Sequence, residues 1–368
     1  VSGLIIVLIV WAALPAAAQT AVPRGDRILS IDLNVAEGRD YPTTFEMAQS
    51  MGIEDVNLSF DWRDLEPQPG QFTNEMFPII NLFYPAYGMP VSLFIRPIST
   101  GVNTMPEDLV GKRLDDPDVI ARFAGVIDYT FEQTPDTQIR VIIIGSEIDA
   151  YLGSDADAWQ QYLTFFKAAR DAIKAKNPAV LVASEGLYAG MMGDLQPFFE
   201  QLHALADVIG VSYYPLNADF SPRSPDTVSA DFAALLEVYP DQPVYFFQLG
   251  CPSSPEIQSS EELQAEFITL GTAGTTYSKK IQSSEELQAE FIRQVFAAWD
   301  QYADRIKYIK FTWLYDVSAA TVSFFETYYS YSAPGFAAYL GSLGLHYQDG
   351  TPKLAFAALQ EEVRARGW

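Results

Sequence analysis

Short apolar runs alternate along the chain with stretches whose apolar positions recur every three or four residues. Strand-like runs fall at residues 28–35, 55–62, 89–97, 139–149, 179–187, 207–215, 243–253 and 306–316. Helical spacing marks residues 43–51, 74–84, 118–132, 157–176, 195–205, 229–239 and 285–302, and residues 352–364 follow the last strand. Strands that are apolar at consecutive positions, such as Val141-Ile142-Ile143-Ile144 and Val244-Tyr245-Phe246-Phe247, suit a parallel sheet covered on both faces. Strand-then-helix units in this order predict a single α/β domain, a (β/α)8 TIM barrel over residues 19–368. The rival arrangement, a doubly wound open sheet, calls for a glycine-rich turn after the first strand. That turn reads Asn34-Val35-Ala36-Glu37-Gly38-Arg39 and lacks the fingerprint.

Two segments stand apart. Residues 1–18 are apolar and uncharged, are interrupted by Pro15, and end in Ala16-Ala17-Ala18. That is the pattern of a secretory signal peptide and its cleavage site, although the basic start is missing. It predicts a secreted or periplasmic protein with no membrane attachment after cleavage. The sequence IQSSEELQAEFI occurs at residues 257–268 and again at 281–292, around a polar linker. Two copies are too few for a solenoid. The second copy runs directly into the seventh helical stretch, with Ser-Ser-Glu-Glu as N-terminal capping chemistry. Residues 257–280 then read as an inserted excursion at the active face.

Charge narrows the partners. Asp and Glu number 47 against 23 Lys and Arg, a formal charge of −24, and no basic stripe offsets it. Nucleic acid and strongly anionic substrates are disfavoured. With only His203, His346 and Cys251, no disulfide framework or zinc ribbon is expected, and neither metal nor cofactor is implied. A neutral oligo- or polysaccharide-sized ligand fits this composition, and the expected state is a monomer.

In a (β/α)8 barrel, chemistry sits at the C-terminal ends of the strands. The polar and aromatic residues there are Asp32 and Asn34, Asp61 and Trp62, Arg96, Ser146, Glu147 and Asp149, Ser184 and Glu185, Tyr213 and Tyr214, Gln248 and Cys251, and Trp313 and Asp316. Aromatic rings stack on sugar faces, and carboxylates carry out glycosidic acid/base work.

Three stretches carry a family resemblance. Trp62-Arg63-Asp64-Leu65-Glu66-Pro67-Gln68-Pro69-Gly70-Gln71-Phe72 resembles the second-strand W-x-x-L-x-P-x-x-G-x-F/Y signature of the clan A glycoside hydrolases. Gly145-Ser146-Glu147 resembles their fourth-strand acid/base motif, and residues 344–353 (GLHYQDGTPK) resemble the turn before their last helix. The versions of the catalytic motifs resemble the β-mannanase-like and β-galactanase-like families more than the cellulases. The resemblance implies a retaining glycoside hydrolase with Glu147 as acid/base, Trp313 as the platform under the cleaved sugar, and Tyr213 or Tyr214 bonded to position 248. Trp62, Arg96, Ser146 and Glu185 join them as substrate-binding candidates.

The chain departs from this pattern twice. Ser146 stands where the clan usually has Asn. In Gln248-Leu249-Gly250-Cys251-Pro252-Ser253, Gln248 stands where the nucleophile Glu is expected. An amide does not readily form a glycosyl ester. Gln248 is thus an engineered knockout, a natural change in a non-hydrolytic relative, or a sign that Glu185 or Asp316 takes over. The expected function is a retaining hydrolase of a neutral β-linked polysaccharide, mannan- or galactan-like, inactive or very weak as written. The alternatives are a non-catalytic carbohydrate-binding protein on the same fold and, with Lys310 in the mouth, a Schiff-base aldolase.

Overall fold

A computed structural model describes residues 21–258, 281–333 and 335–368. The leader-like residues 1–18 and most of the excursion at 257–280 lie outside the described residues. The eight strand regions are Ile28–Ile31, Val56–Asp61, Val91–Ser99, Ile139–Ser146, the split pair Leu181–Ala183 and Glu185–Leu187, Ile209–Tyr213, Val244–Leu249 and Ile306–Phe311. All neighbouring pairs among them are parallel.

Two sheets make up the ring. One runs first–eighth–seventh–sixth–fifth strand, and the other runs second–third–fourth–fifth. They meet at two places. The fifth strand breaks at Ser184, and its first half pairs with the fourth strand while its second half pairs with the sixth. At the other seam, Ser30 and Asp55 form a parallel bridge. The fold is an α/β (β/α)8 barrel, not the open doubly wound sheet.

Alternation sorts the side chains. Phe94, Val141, Ile143, Tyr245, Phe247 and Tyr308 fill the barrel interior. Their neighbours Ile142, Ile144, Val244 and Phe246 face the helices in the main core. The helical segments begin where short polar side chains can take up free backbone N–H groups. Asp116 caps Pro117–Gln133, Asp155 caps Ala156–Lys176, and Ser284 caps Glu285–Gln301 by accepting from Leu287 N. Ser284 belongs to the second repeat copy, which therefore starts the seventh helix. The two ends of the excursion lie side by side: Gln258 bridges Gln282, and Ser283 N donates to Ile257 O at 2.9 Å.

The loop after the eighth strand carries two helices that the sequence pattern did not reveal, Ala319–Tyr328 and Phe336–Leu340. Ile257, Val322, Phe336, Tyr339, Leu340 and Leu343 form a separate apolar cluster there, over the mouth of the barrel.

Candidate active site

The fourth strand presents Glu147 through a local backbone reversal. Gly145 has φ 74°, and a Cβ there would meet Ile148 Cγ2 at 2.6 Å, so only glycine fits. Glu147 itself has φ 46°, a left-handed conformation that costs a non-glycine residue on the order of 1–2 kcal/mol. The surrounding frame holds it: Thr100 N donates to Ser146 O, and Ile148 N donates to Glu185 O. The Glu147 carboxylate is half-buried and accepts from Ser212 Oγ at 2.7 Å and from Thr100 Oγ1 at 2.8 Å.

The seventh strand presents Gln248 through an irregularity. Val211 pairs with Phe246, but Ser212 pairs with Gln248. The extra residue lets Phe247 face the barrel interior and Gln248 face the mouth. The amide is fixed at both ends. Its Nε2 donates to Glu185 Oε2 at 2.8 Å and to Ser146 Oγ at 3.1 Å, and its Oε1 accepts from Tyr214 OH at 3.3 Å. The Tyr214 hydroxyl also lies 3.0 Å from Thr312 Oγ1, whose hydroxyl can donate to it.

Glu185 lies at the break of the fifth strand and is fully buried. Its Oε2 accepts from Ser146 Oγ at 2.7 Å as well as from Gln248, while Oε1 has no hydrogen-bond partner among the described residues. Burial, reinforced by the nearby Glu147 carboxylate, pushes its pKa up to about 8. A neutral Glu185 at physiological pH agrees with that bare oxygen. Its burial behind Gln248 keeps it from direct contact with a sugar.

Two cavities share the Glu147–Gln248 junction. A polar one of about 380 Å³ is lined by Asp32, Asn34, Asn57, Ser59, Arg96 and Lys310, among others. Its charges are paired: Lys310 with Asp32 at 2.7 Å, and Arg96 with Asp61 at 2.8 Å. The second, of about 660 Å³, is lined largely by aromatic and aliphatic side chains from the loops after the fifth, sixth and eighth strands. Thr100, Glu147, Gln248, Trp313, Phe325 and Tyr329 line both. The Thr312–Trp313 peptide is cis, and the Trp313 ring stacks on Phe325. The GLHYQDGTPK turn holds this segment in place, with Leu345 N donating to Trp313 O and Lys353 Nζ bonded to Asp316 at 2.6 Å.

The structure thus brings Glu147, Gln248, Ser146, Glu185, Tyr214, Arg96 and Trp313 together. Three candidates from the sequence fall elsewhere. Trp62 is fully buried against Phe123 and Phe165, with its Nε1 donating to Glu66. Glu66 also accepts from Gly70 N and Arg122, so the W-x-x-L-x-P-x-x-G motif anchors the second loop and does not line either cavity. Tyr213 points outward to Phe246 and Phe232, and its hydroxyl donates to Asp231. Asp316 is held by Lys353 and Gly344 N and lines neither cavity. Phe325 and Tyr329 were missed, because only the folding of the eighth loop carries them over the mouth.

Comparison with solved structures shows that this fold is shared with several glycoside hydrolases. The GH5_18 of Streptomyces cattleya, crystallised with Manβ1-4GlcNAc, superposes with a TM-score of 0.66 at 17% identity, over 92% of this chain and 80% of its own. The exo-β-1,4-mannosidase Op5Man5 from Opitutaceae bacterium strain TAV5 gives 0.68 at 16% identity, over 96% and 62%. The GH53 catalytic domain of Ignisphaera aggregans gives 0.60 at 17%, over 94% and 99%. No family model and no curated protein matches the sequence.

Proposed function

We propose that the mouth is a retaining glycosidase site for a neutral β-linked sugar of the mannose or galactose type, in which Gln248 occupies the nucleophile position. The observation that carries this reading is the convergence of Glu147 and Gln248, with Trp313, on the lining shared by the two cavities. Glu147 is the acid that protonates the leaving oxygen and the base that activates water in the second step. A carboxylate at 248 would attack the anomeric carbon; the amide present there does not, so turnover by the chain as written is very weak or absent. The paired charges of the polar cavity favour a neutral ring over an anionic one. The leader-like segment fits export towards a glycan outside the cell.

The second reading is a sugar-binding protein without catalysis. The observation in its favour is Gln248 itself, whose three hydrogen bonds fit an amide in its present orientation. A Schiff-base role for Lys310 finds no support, because its ammonium is committed to Asp32. Hydrolysis of 4-nitrophenyl β-glycosides by the given chain and by Gln248→Glu separates the first two readings. A gain supports the glycosidase site, and inertness on a glycoside that binds supports the binder.

A further inference from the structure

From the contrast between the two cavities we infer that this site takes a glycoside whose departing group is apolar, an aryl or alkyl alcohol, and not a second sugar. The inference rests on the glycosidase reading of the mouth. Glu147 and Gln248 line both cavities, so the scissile bond sits where the cavities meet. The sugar lies on one side and the departing group on the other.

The polar cavity is equipped for hydroxyl groups. Asp32, Asn34, Asn57, Ser59, Arg96 and Lys310 offer donors and acceptors on several sides of a ring. The larger cavity is not. Apart from the junction residues, its walls are mainly Leu187, Leu216, Phe220, Phe336, Leu340 and Leu343, with Thr312, Tyr214, Tyr331 and Tyr339 beside them. No Asp, Asn, Arg, Lys, His or Ser lines it among the described residues. The tyrosine hydroxyls nearest the junction are already engaged: Tyr214 bonds Gln248 and Thr312, and Tyr329 lies against Ser99 and Thr100. A sugar placed here would turn most of its hydroxyls toward apolar walls in exchange for water, which disfavours it against an apolar group.

The aromatic rings are also arranged as a wall. A sugar platform presents one flat open face. Here Phe220 meets Tyr331 at 60°, Tyr331 meets Phe336 at 87°, and Tyr214 meets Tyr339 at 88°. Edges and faces interlock around a volume of about 660 Å³, ample for a ring or a short chain of methylenes.

Calorimetry on the full chain tests this, because Gln248 leaves glycosides intact during titration. The probes are octyl and phenyl β-D-glycosides of mannose, galactose and glucose, used below any micelle concentration, against the β-1,4-linked disaccharides of the same sugars. Either apolar glycoside should bind at least about tenfold more tightly than the disaccharide of its sugar, with a more negative heat-capacity change. The octyl and phenyl arms distinguish an alkyl from an aryl departing group. Leu216→Asn and, as a second wall variant, Leu187→Asn should each erase that preference while leaving the affinity for the methyl glycoside within about twofold. A disaccharide that binds as tightly as the apolar glycosides overturns the inference and leaves the glycosidase reading standing. A folded wall variant that keeps the preference also overturns it. If no sugar binds in any form, the glycosidase reading fails and this inference fails with it.

Discussion

Replacing Gln248 by Glu places a second carboxylate against Glu185, so its consequence depends on how the pair shares a proton. In the present structure the amide lies 2.8 Å from Glu185 Oε2. Two full charges at that separation repel by about 6 kcal/mol at an effective dielectric near 20. That is roughly 4 pH units at about 1.4 kcal/mol each, so the pair holds one proton across the neutral range. Glu185 is the group that keeps it. It is fully buried, and its pKa is already pushed up to about 8, whereas position 248 is half-buried and faces the Tyr214 hydroxyl. The carboxylate introduced at 248 is therefore ionised at pH 5–7 and available for attack, with Glu185 as its neutral hydrogen-bond donor. We expect Gln248→Glu to raise kcat/KM on 4-nitrophenyl β-glycosides by at least about 10³-fold, equivalent to about 4 kcal/mol of barrier. The double change Gln248→Glu with Glu185→Gln reverses the carboxylate–amide pair. It should retain that gain and extend it to higher pH, since position 185 no longer holds a carboxyl that ionises beside the nucleophile. Initial rates across pH 5–10 for the parent, the single and the double variant provide the assay. Absence of any gain on a glycoside that binds would refute the reasoning. So would a parent that is already active and is silenced by Glu185→Gln, because Glu185 would then be the nucleophile.

Further outcomes follow from the same geometry. Glu185 has a folded pKa of about 8 against an ordinary 4.5, so the folded state binds more protons than the unfolded state between these values, and stability falls as pH rises from about 5 to 8. Asp149, pushed up to about 7 by burial, acts in the same direction, and Glu185→Gln should flatten the Tm-against-pH curve; an unchanged slope would refute the assignment. Trp313→Ala should abolish binding of the methyl glycosides in calorimetry, whereas Tyr213→Phe should leave binding intact and cost about 1–2 kcal/mol of stability in urea unfolding, because its hydroxyl donates to Asp231 on the outer side of the barrel. Excising residues 258–281 joins Ile257, which is buried in the cluster over the mouth, to Gln282, which adjoins its neighbour Gln258. The shortened chain should unfold in a single cooperative transition, and a loss of that transition would show that the segment is integral to the domain.

The hydrophobic pattern alone located all eight strand regions and the helices between them, because a parallel strand covered on both faces must be apolar at consecutive positions, as at Val141–Ile144. It also placed Glu147 and Gln248 at the C-terminal ends of their strands, and the structure brings both residues to the same pair of cavities. It could not tell Tyr213 from Tyr214. Adjacent residues on a strand face opposite ways: Ile209, Val211 and Tyr213 pack in the outer core, while Ser212 and Tyr214 turn to Glu147 and Gln248. For the same reason Trp62, read as a mouth residue, is part of the core: the strand passes into the short helix Trp62–Leu65, and Glu66 takes its indole N–H. The apolar wall over the mouth was illegible as well. Its residues sit in two short helices, Ala319–Tyr328 and Phe336–Leu340, whose aromatic side chains gain burial only by packing on Ile257 and on one another across the loop. Glu185 could be named from its place at a strand end, but its proton affinity could not. Desolvation and the field of Glu147 arise only when the fourth, fifth and seventh strands close around it, and a linear sequence contains neither the distance between those groups nor the exclusion of water.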